Sequence, residues 1–240
     1  MTLSVVAIDR LEFSVASWSW PFADERRAEI DAHFARRNVG AMQLWNGRIL
    51  LARGYRIVGD ALTGTCFETD YASFLAWRDW GFPDPAIVNC FAMGALRSSD
   101  GAFLLGVMAP HTANAGAVYF AAGTPDPSDV ANGRLDLAGS VTREVAEETG
   151  LTAADYAAAA GWHAVPAGPR LALMKTLTAP TPAAALQRKM RDHLAREAKP
   201  ELSDIRIVRG PGDFDRAMPA FVTAYLDYCF RQPTLDRGAP

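Results

Sequence analysis

The sequence predicts a mixed α/β fold, because strand-like and helix-like segments interleave along its 240 residues. Two stretches carry this expectation. Between Pro85 and Gly123, apolar and β-branched runs are punctuated by Ser98-Ser99-Asp100-Gly101, as paired strands are. Between Asp136 or Ser140 and Thr149, Leu137, Val141 and Val145 recur at helical spacing, and Gly150 supplies a stop.

The remaining elements follow in chain order. Ser4 to Trp20 reads as one or two strands, and Pro21 then punctuates the chain. Asp24 to Arg37 reads as a helix with a narrow stripe at Ile30 and Phe34, its wet face exposed or used in a dimer. In MQLWNGRILLARGYRIVGD, Asn46-Gly47 between two strand-like runs predicts a hairpin turn. Tyr71 to Trp80 reads as a helix with Phe74, Leu75, Trp77 and Trp80 on its apolar surface, ended by Gly81-Phe82-Pro83 and Pro85. Residues 1–88 would then form an N-terminal α+β extension or subdomain, with the main domain and its C-terminal helices over 89–240. A further strand is predicted over Leu171 to Leu177. Helices near Pro182 to Arg196 and Asp215 to Arg231 flank a short strand at Ile205 to Val208.

Composition narrows the function classes. Half the residues are hydrophobic and 21% are charged, as in ordinary globular proteins. A net charge of −3, from 24 basic and 27 acidic residues, gives no electrostatic footprint for a nucleic acid polymer or an anionic membrane. Cys66, Cys90 and Cys229 lie far apart without a CxxC pairing, so they read as reduced, buried thiols. Asp9, Arg10 and Glu12 interrupt any early apolar run, so no signal peptide or membrane span is read and a cytoplasmic location is expected.

Chemistry concentrates in REVAEETGL, Arg143 to Leu151. Its glutamates at 144, 147 and 148 stand on one helical face, where like charges disfavour an isolated helix and a hard dication between them would relieve the repulsion. Arg143, one turn before Glu147, can orient that carboxylate. Packing and chemistry therefore occupy different faces of one helix.

REVAEETGL resembles the second half of the Nudix box, Arg-Glu-apolar-x-Glu-Glu-x-Gly-apolar, at every specified position. The resemblance covers roughly residues 88–210. It implies a Nudix-type α/β/α sandwich with a mixed sheet and MutT-like pyrophosphatase chemistry, with Mg²⁺ or Mn²⁺ held by Glu144, Glu147 and Glu148. Arg143 would brace the helix, and Gly123 and Gly150 would shape the box. The first half departs from the pattern. The sixth residue after Gly123 is Asp129, a shorter acid, and thirteen residues rather than the family's seven separate it from Arg143, with VANGRLD resembling an insertion. Trp45-Asn46-Gly47 and Thr69-Asp70-Tyr71 are similar to a branch of the family that hydrolyses UDP-sugars. Family members often place a further acid before a late strand, which makes Asp204 and Glu201 in PELSDIRIV candidates for proton transfer, with Asp204 counted among the catalytic set.

The resemblance thus implies a metal-dependent hydrolase acting on a small nucleoside diphosphate derivative, releasing a nucleoside monophosphate and a phosphorylated partner. Two alternatives stay open: a nucleotide sensor without turnover, and a dimeric interaction module that keeps the box as a relic. Arg97 and Arg170 lie beside predicted strands where they could meet phosphate, although arginines are ordinarily on the surface. His111 and His163 read as structural, Trp18, Trp20, Trp77 and Trp80 as mainly core, and Arg209-Gly210-Pro211-Gly212 is too short for a phosphate loop.

Overall fold

A computed structural model describes residues 3–40 and 44–232. The N-terminal third contains β1 (Val6–Ile8), β2 (Arg10–Val15), α1 (Pro21–Glu25), α2 (Arg27–Arg37), β3 (Arg48–Val58), β4 (Ala61–Asp70) and α3 (Tyr71–Asp79). There follow β5 (Asn89–Arg97), β6 (Phe103–Met108), β7 (Val118–Tyr119), β8 (Val130–Ala131), β9 (Arg134–Leu135) and α4 (Leu137–Thr149). The chain continues through β10 (Ala157–Ala158), β11 (Trp162–Ala167), β12 (Arg170–Thr178), α5 (Ala183–Leu194), β13 (Leu202–Val208) and α6 (Ala220–Arg231).

Two mixed sheets organise these elements. The larger runs β1-β11-β12-β5-β6-β13, with β10 on β12 and β7 on β6, and its one parallel pair is β5 with β12. The smaller runs β3-β4-β2-β9-β8, with β2 and β4 parallel.

Strand β5 is buried along nearly its whole length because helices cover both faces of the large sheet, which is why it lacks polar alternation. Cys90, Ala92 and Leu96 share a core with Val141 and Val145 of α4 and with Leu186 and Met190 of α5. Phe91, Met93 and Ala95 face the opposite way, into a second core with Val222, Tyr225 and Leu226 of α6. The mixed α/β sandwich predicted from the sequence is therefore present. A Cβ on Gly94 would overlap Val145, so glycine lets α4 lie directly on the sheet. Leu137, Val141 and Val145 are all buried, each contributing about 1.5–3 kcal/mol by leaving water.

A third core is aromatic. Trp20 and Trp77 are buried in it beside Phe67, while Trp18 and Trp80 pack at its margin. This cluster anchors α3 against β3 and β4. Asp70 starts α3 by accepting from the Ser73 amide at 2.9 Å.

One turn differs from its expectation. The hairpin joins β3 to β4 through Gly59-Asp60, with Gly59 in the left-handed region at φ 60°, and not through Asn46-Gly47. The Asn46 side chain is spent elsewhere: its Oδ1 accepts the Ala72 amide at 2.7 Å, and the Gly47 carbonyl accepts Tyr71 N–H at 2.9 Å. These bonds satisfy amides in the first turn of α3. Met42 and Gln43 of the expected first strand lie outside the described residues. Strand β11 was not expected, since its Ala and Pro content is poor for strands; pairing with β1 and β12 holds it in the sheet.

Among the described residues no helix is long and apolar enough to cross a membrane. Cys66 and Cys90 are buried and Cys229 is half-buried, no disulfide is formed among the described residues, and burial pushes the Cys66 thiol up to about 12.

Candidate metal and phosphate site

Helix α4 is fixed at both ends. Asp136 accepts the Gly139 amide at 2.9 Å, and Gly150, left-handed at φ 69°, returns its N–H to Ala146. His193 of α5 lies 3.0 Å from the Glu147 carbonyl, tying the acidic turn to the neighbouring helix.

The three glutamates differ sharply in exposure. Glu147 keeps 61% of its side-chain surface in solvent, against 13% for Glu144. Glu148 is buried, receives the Ala122 amide, and leaves its Oε2 without a partner. Burial pushes the Glu144 carboxyl up to about 7; Arg143 opposes the shift, and like charge from Glu147, Glu201 and Asp129 adds to it. Burial and the charges of Glu144 and Glu201 hold Glu148 well above the ordinary carboxylate range. The Glu144 carboxylate lies directly on Gly123, where a Cβ would displace it, so the glycine at the start of the loop allows this placement of the side chain.

Arg143 gathers the acids. Its guanidinium lies 2.7 Å from Glu144, 3.5 Å from Glu147 and 2.9 Å from Asp129. Burial opposes its charge, but these acids together hold it above the ordinary arginine value. Asp129 reaches this position despite the six extra residues, because 130–135 form the β8-β9 hairpin and the Asp136 amide donates to the Asp129 carbonyl at 2.7 Å. The insertion folds out onto β2, where the Val15 amide donates to Gly133. Asp129 is itself buried and accepts the Asp126 amide at 3.0 Å.

The other candidates separate. Asp204 is not drawn into the cluster; it pairs with Arg191 at 2.6 Å, which holds its carboxyl below the usual range. Glu201, three residues earlier, is the acid whose charge reaches Glu144, Glu148 and Tyr119. Arg97 packs over the Phe103 ring. His163 packs between Tyr225 and Tyr228.

Beside the acids lies a cleft of about 270 Å³. Ala122, Gly123 and Thr124 form its border with the box, so the backbone that contacts Glu144 and Glu148 also lines the cleft. Tyr71 and Phe74 from α3, Phe91 from β5 and Phe221 from α6 supply aromatic walls. Arg78, Arg170, Asn89 and Asn114 are among its polar groups, none of which the box motif foretells. Sequence reasoning singled out Arg170 only as a strand-flanking cation and passed over Arg78 and Asn89.

No known family profile matches the chain, and no curated protein does either. Solved structures with a similar shape include the Nudix hydrolase RenU from M. smegmatis, at 16% identity and a TM-score of 0.40, covering 63% of this chain and 87% of that one. The MutT protein of Methanosarcina mazei Go1 matches at 18% identity and TM-score 0.42, over 61% of this chain and 96% of that one. A Bacillus subtilis pyrophosphohydrolase, BsRppH, matches at 12% identity and TM-score 0.36, over 65% and 87%.

Among the described residues, no three His, Cys, Asp or Glu side chains are already gathered closely enough to hold an ion. Glu144 is turned onto Arg143 and Glu147 points to solvent. The donor set nevertheless fits a hard divalent cation. It is all carboxylate, its buried members resist ionisation because they are desolvated, and the Glu148 Oε2 has no hydrogen-bond donor.

Proposed function

We propose that this chain is a divalent-metal-dependent pyrophosphohydrolase that cleaves a nucleoside diphosphate linked to another group. The observation that carries the reading is the buried, unpartnered Glu148 Oε2 on the same helical face as Glu144 and Glu147, next to an open cleft. A carboxylate so desolvated is costly to ionise without a compensating cation.

Mg²⁺ or Mn²⁺ held by Glu144, Glu147 and Glu148 would neutralise the diphosphate oxygens and lower the pKa of an attacking water. Arg143 bonds Glu144 and Glu147, which the helical period already sets on one face, and so orients their carboxylates. Glu201 takes the proton from the attacking water; its charge already acts on both buried glutamates, whereas Asp204 is engaged by Arg191. Gly123 leaves room for the Glu144 carboxylate at the mouth of the cleft.

A UDP-sugar is the finer proposal within this class. It is supported by the meeting of the two stretches that resemble that branch: Asn46 and Gly47 bond the amides of Ala72 and Tyr71, placing Tyr71 and Phe74 in the cleft wall.

Product release from UDP-sugars, ADP-ribose, NADH, dinucleoside polyphosphates and nucleoside triphosphates, with Mg²⁺ or Mn²⁺, tests the reading. Turnover by wild type that disappears in Glu147→Gln is expected. Glu147 is exposed, so the variant should fold normally. Absence of turnover with every compound and metal would overturn it.

A further inference from the structure

Two arginines meet in the cleft without enough negative charge to balance them. Arg170 opens β12 opposite Asn89 in the parallel ladder, so the two side chains stand side by side in the cleft wall. Arg170 is half-buried over the Phe82 ring at 4.9 Å, and among the described residues no carboxylate charge offsets its own. Desolvation and the nearby charge of Arg78 both work against its ionised form. Arg78, in the last turn of α3, bonds Asn114 at 3.3 Å and Asp79 at 3.2 Å. Asp79 is already shared with Arg37 at 3.2 Å and His33 at 3.0 Å. The local balance is therefore cationic. Asn89 adds an independent sign of a missing ligand: it is buried, with 8% of its surface exposed, and its Oδ1 has no hydrogen-bond partner.

We infer that the cleft binds an oxyanion, a phosphate or carboxylate group carried by the substrate in addition to its diphosphate, between Arg78 and Arg170 and beside Asn89. An oxyanion there supplies the charge that this pair lacks and accepts from planar guanidinium forks. Asn89 Oδ1, an acceptor, takes a hydroxyl or N–H donor that the substrate carries beside that anion. The aromatic walls from α3, β5 and α6 hold a planar or apolar body between this anion and the box. A substrate of diphosphate and neutral groups alone would leave the two cations without a counter-charge, so within the UDP-sugar class an acidic sugar fits this wall better than a neutral one. This assignment rests on the hydrolase reading only for the diphosphate end of the substrate.

The test is binding rather than turnover. Metal-free protein in chelator is titrated calorimetrically with matched pairs differing by one anionic group: NADPH and NADH, UDP-glucuronate and UDP-glucose, coenzyme A and its dephospho form. In at least one pair the extra anion should tighten binding by about tenfold or more. Arg170→Met and Arg78→Met should each erase most of that ratio while leaving the Kd of the unadorned member nearly unchanged. Arg170→Lys, which keeps the charge and guards against misfolding as the cause, should retain part of it. Glu147→Gln should retain all of it. Equal affinity within every pair overturns the inference. So does an equal loss for both members in the arginine variants, which would place the arginines on the diphosphate. Discrimination that survives in a protein without turnover counts against the hydrolase and leaves the anion site standing.

Discussion

The Asp129 carboxylate lies 2.9 Å from the Arg143 guanidinium although thirteen residues separate them in the chain. The pair is unequally buried, Asp129 almost fully and Arg143 by about two thirds, and Arg143 also bonds Glu144. Removing Asp129 therefore deprives a partly desolvated cation of its most buried partner. Asp129→Ala should lower unfolding free energy by about 2 kcal/mol, read from urea melts. A double-mutant cycle with Arg143→Met should show coupling between the two positions. Additive losses would mean that the contact contributes nothing specific.

Gly94 tests the seating of α4 separately from its chemistry. A Cβ there meets Val145, with Leu177 and Val141 close behind, in a core already packed. Gly94→Ala should cost about 1–3 kcal/mol by forcing the helix off the sheet. Val145→Ala added to it should recover part of that loss, because the methyl groups removed are those it strikes. No recovery would locate the strain elsewhere.

What the sequence conveyed depended on how local the determinant was. The acidic face of α4 was legible because Arg143, Glu144, Glu147, Glu148 and Gly150 fall within one helix, whose period places them together before any tertiary contact is known. The three-layer architecture followed from the box resemblance and from apolar runs such as β5, which only a sheet covered on both sides accommodates. Asn46-Gly47 misled because its turn propensity lost to the open amides of α3, a demand made by a helix beginning at Tyr71. Arg78, Asn89 and Arg170 carry no mutual spacing; the β5-β12 ladder and the aromatic packing of α3 bring them together. The Asp129 contact was hidden by an apparent insertion that the fold cancels.

Asp100 gives the clearest pH dependence. Helix α5 has Pro182 at its N-cap and no side-chain cap of its own; Asp100, from the β5-β6 turn, accepts the Ala183 amide at 2.9 Å instead. Ser98 Oγ, that amide and Arg209 together hold its carboxyl well below the usual range. A lowered folded pKa means that the stabilisation is complete above the unfolded carboxylate range, about pH 4, and is lost as pH falls below it. Asp100→Ala should cost about 1 kcal/mol at neutral pH, as lost caps do. The gap between variant and wild type should close in acid. A gap that widens in acid would exclude this cap as its source.

The hairpin that carries the insertion offers the sharpest separation of scaffold from chemistry. Residues 130–135 leave and return between Asp129 and Asp136, whose backbones are already joined at 2.7 Å. Deleting them leaves seven residues, 136–142, between Asp129 and Arg143, the spacing of the family pattern that the box resembles. The chain must then close a gap of an antiparallel pair, about 5.5 Å between Cα atoms, down to one peptide link, a shift within reach of a loop. What is lost is the edge of the small sheet, where β9 pairs with β2 and Gly133 accepts from Val15. The shortened protein should therefore melt several degrees lower, consistent with about 1 kcal/mol for a few edge bonds. The gain in thermal stability on adding Mg²⁺ should be the same in the shortened protein as in wild type. Calorimetric melts with and without Mg²⁺ decide the matter. Loss of the Mg²⁺ response in a folded deletion would assign the hairpin to the site itself.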